Sequence, residues 1–287
     1  MNKPQRAASS TAQSASPSLR DFIDQIERAD PSSVWRIKEP VSQDYDTSAL
    51  VMELDKQGRS PVLWFDKVEG SPFPVITNLF GSRARYAAAL GVPERELIEH
   101  LAKREDQTIE PVMRDTGPVQ DVVLTGDDAD LRKLPILKHF AEDAGRYITS
   151  AIVVGNDPVS GVRNASFHRM EVKGPRSLGT SLHSRRHLWS HVNKNEELDQ
   201  DTPIAIVVGA HPLFTFGGLW KGAISTDEFA IVGGLMGVPL EIAKCRTVPI
   251  EVPAHAEIVI EGRILSKKRA PEGPFAEFTG YASERST

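Results

Sequence analysis

The sequence predicts an α+β protein, a small α/β domain followed by an antiparallel β-barrel with helical insertions. Two observations carry that class. Over residues 19–118, short apolar strand patterns alternate with stretches of helical periodicity, as in an α/β layer. From residue 147 onward, many β-rich runs are interrupted by only two helical patterns, which suits a barrel with insertions. At 287 residues, 40% hydrophobic and 25% charged, the chain can build about two domains with real cores.

The elements follow in order. Residues 1–18, MNKPQRAASSTAQSASPS, contain no acidic residue and no apolar core of the kind a signal peptide needs, so they read as a disordered leader. In LRDFIDQIERA, Leu19, Phe22, Ile23 and Ile26 share one helical face, and VWRI then reads as a short strand. A helix over 47–56, strands over 61–65 and 74–80, and helices over 83–90 and 95–104 complete a domain ending near Pro118. Residues 119–146 read as a mixed-charge linker that includes TGDDADLRKLP. The second region, 147–287, opens on the strand run YITSAIVV, and DPVSGVRN marks a hairpin turn. Further strands are expected at 203–209, 239–245 and 256–264, with helices at 184–193 and 226–236. The uncharged stretch 202–220 approaches bilayer length. Its two prolines, one histidine and three glycines make it strand, turn, turn within a core, so no membrane span is expected.

Charge and cysteine content narrow the chemistry. A net charge of -5 argues against a general nucleic-acid binder. The single cysteine, Cys245, excludes an intramolecular disulfide and a cysteine-based zinc site, and a cytoplasmic, reducing compartment fits. No glycine-rich phosphate fingerprint occurs, so any phosphate would be held by arginine, hydroxyls, strand amides or a metal.

Three segments hold candidate chemistry. RNASFHRMEV reads either as a site or as a half-exposed strand, with Asn164, Ser166 and His168 on one face and Arg169 on the other. His183, His187 and His191 recur every four residues, a stripe if helical. Adjacent helical turns usually supply two metal ligands and no HExxH is present, so an all-histidine zinc site is not expected. Glu228 reads locally as a first-turn acid favoured by the helix dipole. In APEGPFAEFTGY, Glu272 and Glu277 stand five positions apart, which in a regular strand would aim them to opposite faces. The Gly273-Pro274 pair allows a bend that lets them converge; a solvated surface turn is the alternative.

As an ordered set, these segments resemble the UbiD family of decarboxylases, which use prenylated FMN. The resemblance rests on Asn164 with Arg169 five later, His187 eighteen after that, Glu228 ahead of VPLEIAKC, then VPAHAEIVIEG and the string EGPFAE. It spans about residues 19–281, most strongly after Tyr147. It implies an N-terminal α/β domain packed on a split β-barrel like that of flavin reductases, followed in the family by a C-terminal dimerisation domain. Asn164, His187 and Glu228 match divalent-metal ligands, usually for Mn²⁺ bridging the cofactor phosphate, and a K⁺ site built largely from backbone carbonyls is implied nearby. The cofactor-contacting residues so implied are Asn164, Ala165, Ser166, Phe167, His168, Arg169, Arg186, His187 and Glu228. Arg169, Glu272 and Glu277 match the catalytic set, with Glu277 as proton donor and Glu272 as the partner of Arg169.

The implied reaction is reversible, non-oxidative decarboxylation of an aromatic, heteroaromatic or α,β-unsaturated carboxylic acid, and SFHR favours an aromatic or heteroaromatic one. A flavin prenyltransferase would supply the cofactor, and the full-length form is expected to be a homo-oligomer. Two departures stand out: the chain stops at SERST, so the barrel is expected to be C-terminally truncated, and a cofactor-contacting lysine of the family has no counterpart. An ordinary FMN-binding oxidoreductase with a similar barrel, or a non-catalytic truncated subunit of a (de)carboxylase complex, are the alternative readings.

Overall fold

The computed structural model describes residues 16–104, 107–183, 186–277, 279 and 281–283. Helix α1 (Leu19–Ala29) forms where the apolar spacing predicts it. Its start is capped reciprocally: Ser18 Oγ accepts from Asp21 N, and Asp21 accepts from Ser18 N. Most of the expected leader lies outside the described residues, but its end does not behave as a tail. Ser16 is buried, and its hydroxyl accepts Glu241 N at 3.1 Å.

Strand β1 (Val34–Ile37) lies parallel to β2 (Val62–Phe65), which pairs antiparallel with β3 (Val75–Thr77). Helices α2 (Asp46–Lys56), α3 (Arg83–Leu90) and α4 (Leu97–Arg104) complete this layer. The boundary expected near Pro118 falls too late. Strand β4 (Val112–Met113) already runs parallel to a strand of the second region, at Glu241 and Ile242.

The second region contains β5 (Tyr147–Ile148), β6 (Ile152–Asn156), β7 (Arg163–Phe167), β8 (Met170–Gly174) and β9 (Ser177–Thr180). Then come α5 (His187–Glu197), β10 (Thr202–Val208), α6 (Pro212–Gly217), α7 (Glu228–Met236), β11 (Glu241–Lys244), β12 (Glu251–Pro253), β13 (Ile258–Ile264), β14 (Phe275–Ala276) and β15 (Ala282–Ser283). Its central sheet has the order β13-β10-β6-β7. One face packs Ile152, Val154, Ala205 and Val207 against Phe214 and Phe229 of α6 and α7, and the other packs Val153, Ile204 and Ile206 against Leu188 of α5. Burial on both faces explains why PIAIVVG is a continuous apolar run rather than an alternating one. The mixed helix-and-sheet class is as predicted, but the described strands form five open sheets and none closes into a barrel.

Two predicted strands break in the middle, for one reason. YITSAIVV divides into β5 and β6, and RNASFHRMEV into β7 and β8. β6 pairs with β7 in the central sheet, whereas β5 pairs with β8 in another. The hairpin therefore passes from one sheet to the next at residues 149–151 on one arm and at His168 and Arg169 on the other. The stretch 202–220 also departs from strand, turn, turn, because its second part folds as α6 with Pro212 in the first turn.

Helix α7 is buried all round, and its two glycines admit a neighbouring backbone. A Cβ on Gly234 would collide with the Gln107 carbonyl oxygen, and one on Gly233 with that of Ile109. Gly237 then ends the helix at φ 71°.

Burial of His211 makes stability depend on pH. Its Nδ1 accepts Leu213 N at 3.3 Å and its ring meets Phe22 edge-on, so it serves as a neutral cap for α6. Burial pushes its pKa from 6.5 down to about 4, with Asp21 opposing weakly. The unfolded chain therefore binds the proton first as pH falls, and stability declines from about pH 6.5 toward pH 4. The urea midpoint is expected to be lower at pH 5 than at pH 7, with a smaller difference in His211→Asn.

Candidate active site

The hairpin β6–β7 brings Asn164 and Ser166 beside the start of α7, and α5 begins with His187 at the same place. Asp227 caps α7 by accepting Phe229 N at 2.9 Å and pairs with Arg163 at 2.7 Å, which fixes where the next residue points. That residue, Glu228, is 2% exposed; it accepts Asn164 Nδ2 at 2.8 Å and Ala165 N at 3.1 Å. His187 Nδ1 stands 3.7 Å from Glu228 Oε1. Ser166 Oγ donates to Asn164 Oδ1 at 2.9 Å and lies 3.0 Å from His168 Nε2. The predicted face shared by Asn164, Ser166 and His168 is therefore present, with Arg169 turned elsewhere. Phe167, next along the strand, packs against the core.

The electrostatics of this cluster are those of a dry site. Burial pushes Glu228 up to about 7, against the hydrogen bonds it accepts from backbone groups and Asn164. Burial, then the nearby Arg186 charge, lower both His187 and His168, the latter to about 4. No Lys or Arg pairs with Glu228 among the described residues. A buried carboxylate flanked by an amide and a neutral imidazole suits a hard divalent cation, which would supply the missing positive charge. The histidine stripe does not converge: His191 is turned into the core, 3.7 Å from Asp157 Oδ2, and His183 precedes the helix. Among the described residues no group of three or more His, Cys, Asp or Glu side chains is arranged to hold a metal.

The second cluster forms across the sheet break. Arg169 grips Glu272 through both oxygens, Nε to Oε1 at 3.0 Å and NH2 to Oε2 at 2.9 Å. Its NH1 stands 3.9 Å from Glu277 Oε1. The bend that permits this lies where the prolines place it: Gly273 adopts φ 89° and the Gly273-Pro274 peptide is cis. The Arg169 guanidinium lies 4.9 Å above the Phe275 ring, and Thr180 Oγ1 holds its carbonyl. Burial opposes the arginine's charge, but the Glu272 hydrogen bonds and charge outweigh it and raise its pKa. The two acids differ in setting. Glu272 has 3% of its side chain exposed and Glu277 has 52%. A cleft of about 2900 Å³ reaches Glu272, Lys173 and Thr180.

Sequence reasoning passed over Asp143, Tyr147 and Glu171, which stand buried behind the acid-bearing loop. Tyr147 lay in a run read only as a strand, and Glu171 in RNASFHRMEV, where attention went to Asn164 through Arg169.

Comparison with known proteins shows what the chain is similar to. Residues 110–287 match the family model UbiD, the 3-octaprenyl-4-hydroxybenzoate carboxy-lyase Rift-related domain, and residues 31–105 match its N-terminal domain. The chain is 36% identical over 261 residues to an anhydromevalonate phosphate decarboxylase of Methanosarcina mazei, covering 91% of this chain and 58% of that protein. It is 34% identical over 278 residues to a phenolic acid decarboxylase of a Streptomyces species, covering 92% and 58%. The UbiD-class enzyme HmfF of Pelotomaculum thermopropionicum, solved in complex with FMN, superposes with a TM-score of 0.87 at 38% identity over 94% of this chain and 60% of that one. An evolved dimeric form of HmfF in complex with prFMN gives a TM-score of 0.86 at 38% identity, over 94% and 62%. The chain thus spans about three-fifths of the length of these relatives.

Proposed function

The chain belongs to the UbiD family of carboxy-lyases, and from that membership we propose that it carries the cofactor-binding and acid–base parts of a prenylated-FMN-dependent decarboxylase. The substrate is an aromatic, heteroaromatic or α,β-unsaturated carboxylic acid, and the reaction is reversible and non-oxidative. Likeness to a phenolic acid decarboxylase supports an aromatic acid. The observation that carries the proposal is the placing of one guanidinium between a buried carboxylate it grips and a half-exposed one 3.9 Å away.

When bound, prenylated FMN supplies the electron sink for loss of carbon dioxide. Asn164, His187 and Glu228 would hold a divalent ion such as Mn²⁺, whose charge offsets that of the cofactor phosphate; a K⁺ site nearby belongs to the same proposal. Arg169, kept charged by Glu272, orients the substrate carboxylate. Glu277 in its acid form gives a proton to the carbon that carbon dioxide has left, and solvent restores that proton at its exposed side. In the carboxylation direction Glu277 takes the same proton back. The full-length protein is a homo-oligomer that depends on a flavin prenyltransferase partner.

The test is full-length protein made with and without a flavin prenyltransferase. Carbon dioxide release from a panel of aromatic acids is expected only with the prenyltransferase. Activity with plain FMN that consumes a nicotinamide donor would instead establish the redox reading.

A further inference from the structure

Two more buried carboxylates stand behind the acid pair, and each holds the backbone beside one member of it. Glu171 Oε2 accepts the N–H of Gly273, the residue after Glu272, at 3.1 Å. Asp143 Oδ1 accepts the N–H of Ala276, the residue before Glu277, at 2.8 Å. Asp143 Oδ2 accepts His139 N at 3.1 Å and Phe140 N at 2.9 Å, which ties β14 to the 139–143 turn. Tyr147 joins the two holds: its hydroxyl is 3.2 Å from Glu171 Oε2 and 3.3 Å from the Pro274 carbonyl, and its ring packs against Phe275 at 4.8 Å. Lys173 Nζ, 2.6 Å from Glu171 Oε1, balances the charge of Glu171.

The chemistry of these groups is specific to the task. A loop bent at Gly273-Pro274 lacks a regular ladder around Glu272, so its N–H groups need acceptors from elsewhere. A carboxylate offers acceptors only, and its charge makes the bonds short and directional. An amide in place of Asp143 would turn an N–H donor toward at least one backbone N–H, and one in place of Glu171 would turn it toward either Gly273 N or the Lys173 ammonium.

We propose that Asp143 and Glu171 are positioning residues that set the spacing and aim of Glu277 and Glu272 about Arg169, with Tyr147 locking Glu171 in place. The proposal rests on the reading of Glu277 as proton donor. Displacing a reacting group by about 1 Å can cost on the order of 100-fold in rate, so small movements of this loop matter.

The test uses the full-length enzyme loaded with prenylated FMN, in variants Asp143→Asn, Glu171→Gln and Tyr147→Phe, with Glu277→Gln as reference. In Asp143→Asn and Glu171→Gln, kcat is expected to fall by about 10- to 100-fold. KM for the acid and the affinity for flavin should stay near wild type, and hydrogen exchange at the product carbon should fall in step with kcat. Tyr147→Phe removes only a hydroxyl and should give a smaller loss of the same kind. Should Asp143→Asn fail to fold, the other two carry the test. Wild-type kcat in the positioning variants beside an inactive Glu277→Gln overturns this inference alone, as does a loss that merely tracks the folded fraction. An active Glu277→Gln overturns the proton-donor reading, and this inference with it.

Discussion

Replacing Glu277 by glutamine lowers turnover by about 10²–10⁴-fold, the range expected for loss of a positioned general acid, while flavin and divalent-ion binding are retained. The substitution is nearly isosteric and lies at a half-exposed position, so it leaves no cavity and no buried unpaired charge. Arg169 keeps its two bonds to Glu272, and the Asn164-His187-Glu228 cluster is held by bonds that do not involve Glu277. What is lost is the transferable proton, together with the carboxylate charge facing Arg169 at 3.9 Å. Steady-state carbon dioxide release beside the bound-flavin spectrum measures both halves of the result.

Replacing Glu228 by glutamine has the opposite profile. Removing an outer-shell partner of a metal ligand typically costs about 10–100-fold in affinity, and a direct carboxylate ligand costs more, so Mn²⁺ affinity should fall by at least about 100-fold. The metal-free protein should lose little stability. Glu228 is buried without a Lys or Arg partner among the described residues, so a neutral amide relieves the cost of desolvating a charge, which offsets the cost of turning its own N–H toward Asn164 Nδ2 or Ala165 N. A Mn²⁺ titration followed by electron paramagnetic resonance, together with urea melts of the metal-free proteins, separates the two effects. Unchanged affinity would remove Glu228 from the ligand set.

The elements with strong periodicity could be read before the structure. Leu19, Phe22, Ile23 and Ile26 form the buried face of α1, and β13 and β10 pair over their whole lengths. What periodicity could not reveal was the transfer of a hairpin between sheets, because the residues at the break, His168 and Arg169, continue the polar alternation on either side. The same break sends Arg169 to Glu272 while Asn164 stays with Glu228, so one short run serves two clusters. Asp143 escaped notice because it lies in a loop with no pattern, and its partners are backbone N–H groups that no side-chain spacing predicts. The barrel was an inference from strand number and from the family resemblance. Strand number does not reveal which edges meet, and among the described residues β14 and β15 pair only with each other.

The central claim is that Glu277 carries the proton between solvent and the carbon that loses carbon dioxide. Its most direct test is hydrogen exchange at that carbon, followed by nuclear magnetic resonance with the decarboxylated product in deuterated water. Wild-type enzyme loaded with prenylated FMN is expected to exchange the product's hydrogen for deuterium, and Glu277→Gln to lose the exchange with its flavin still bound. Undiminished exchange in Glu277→Gln would contradict the claim.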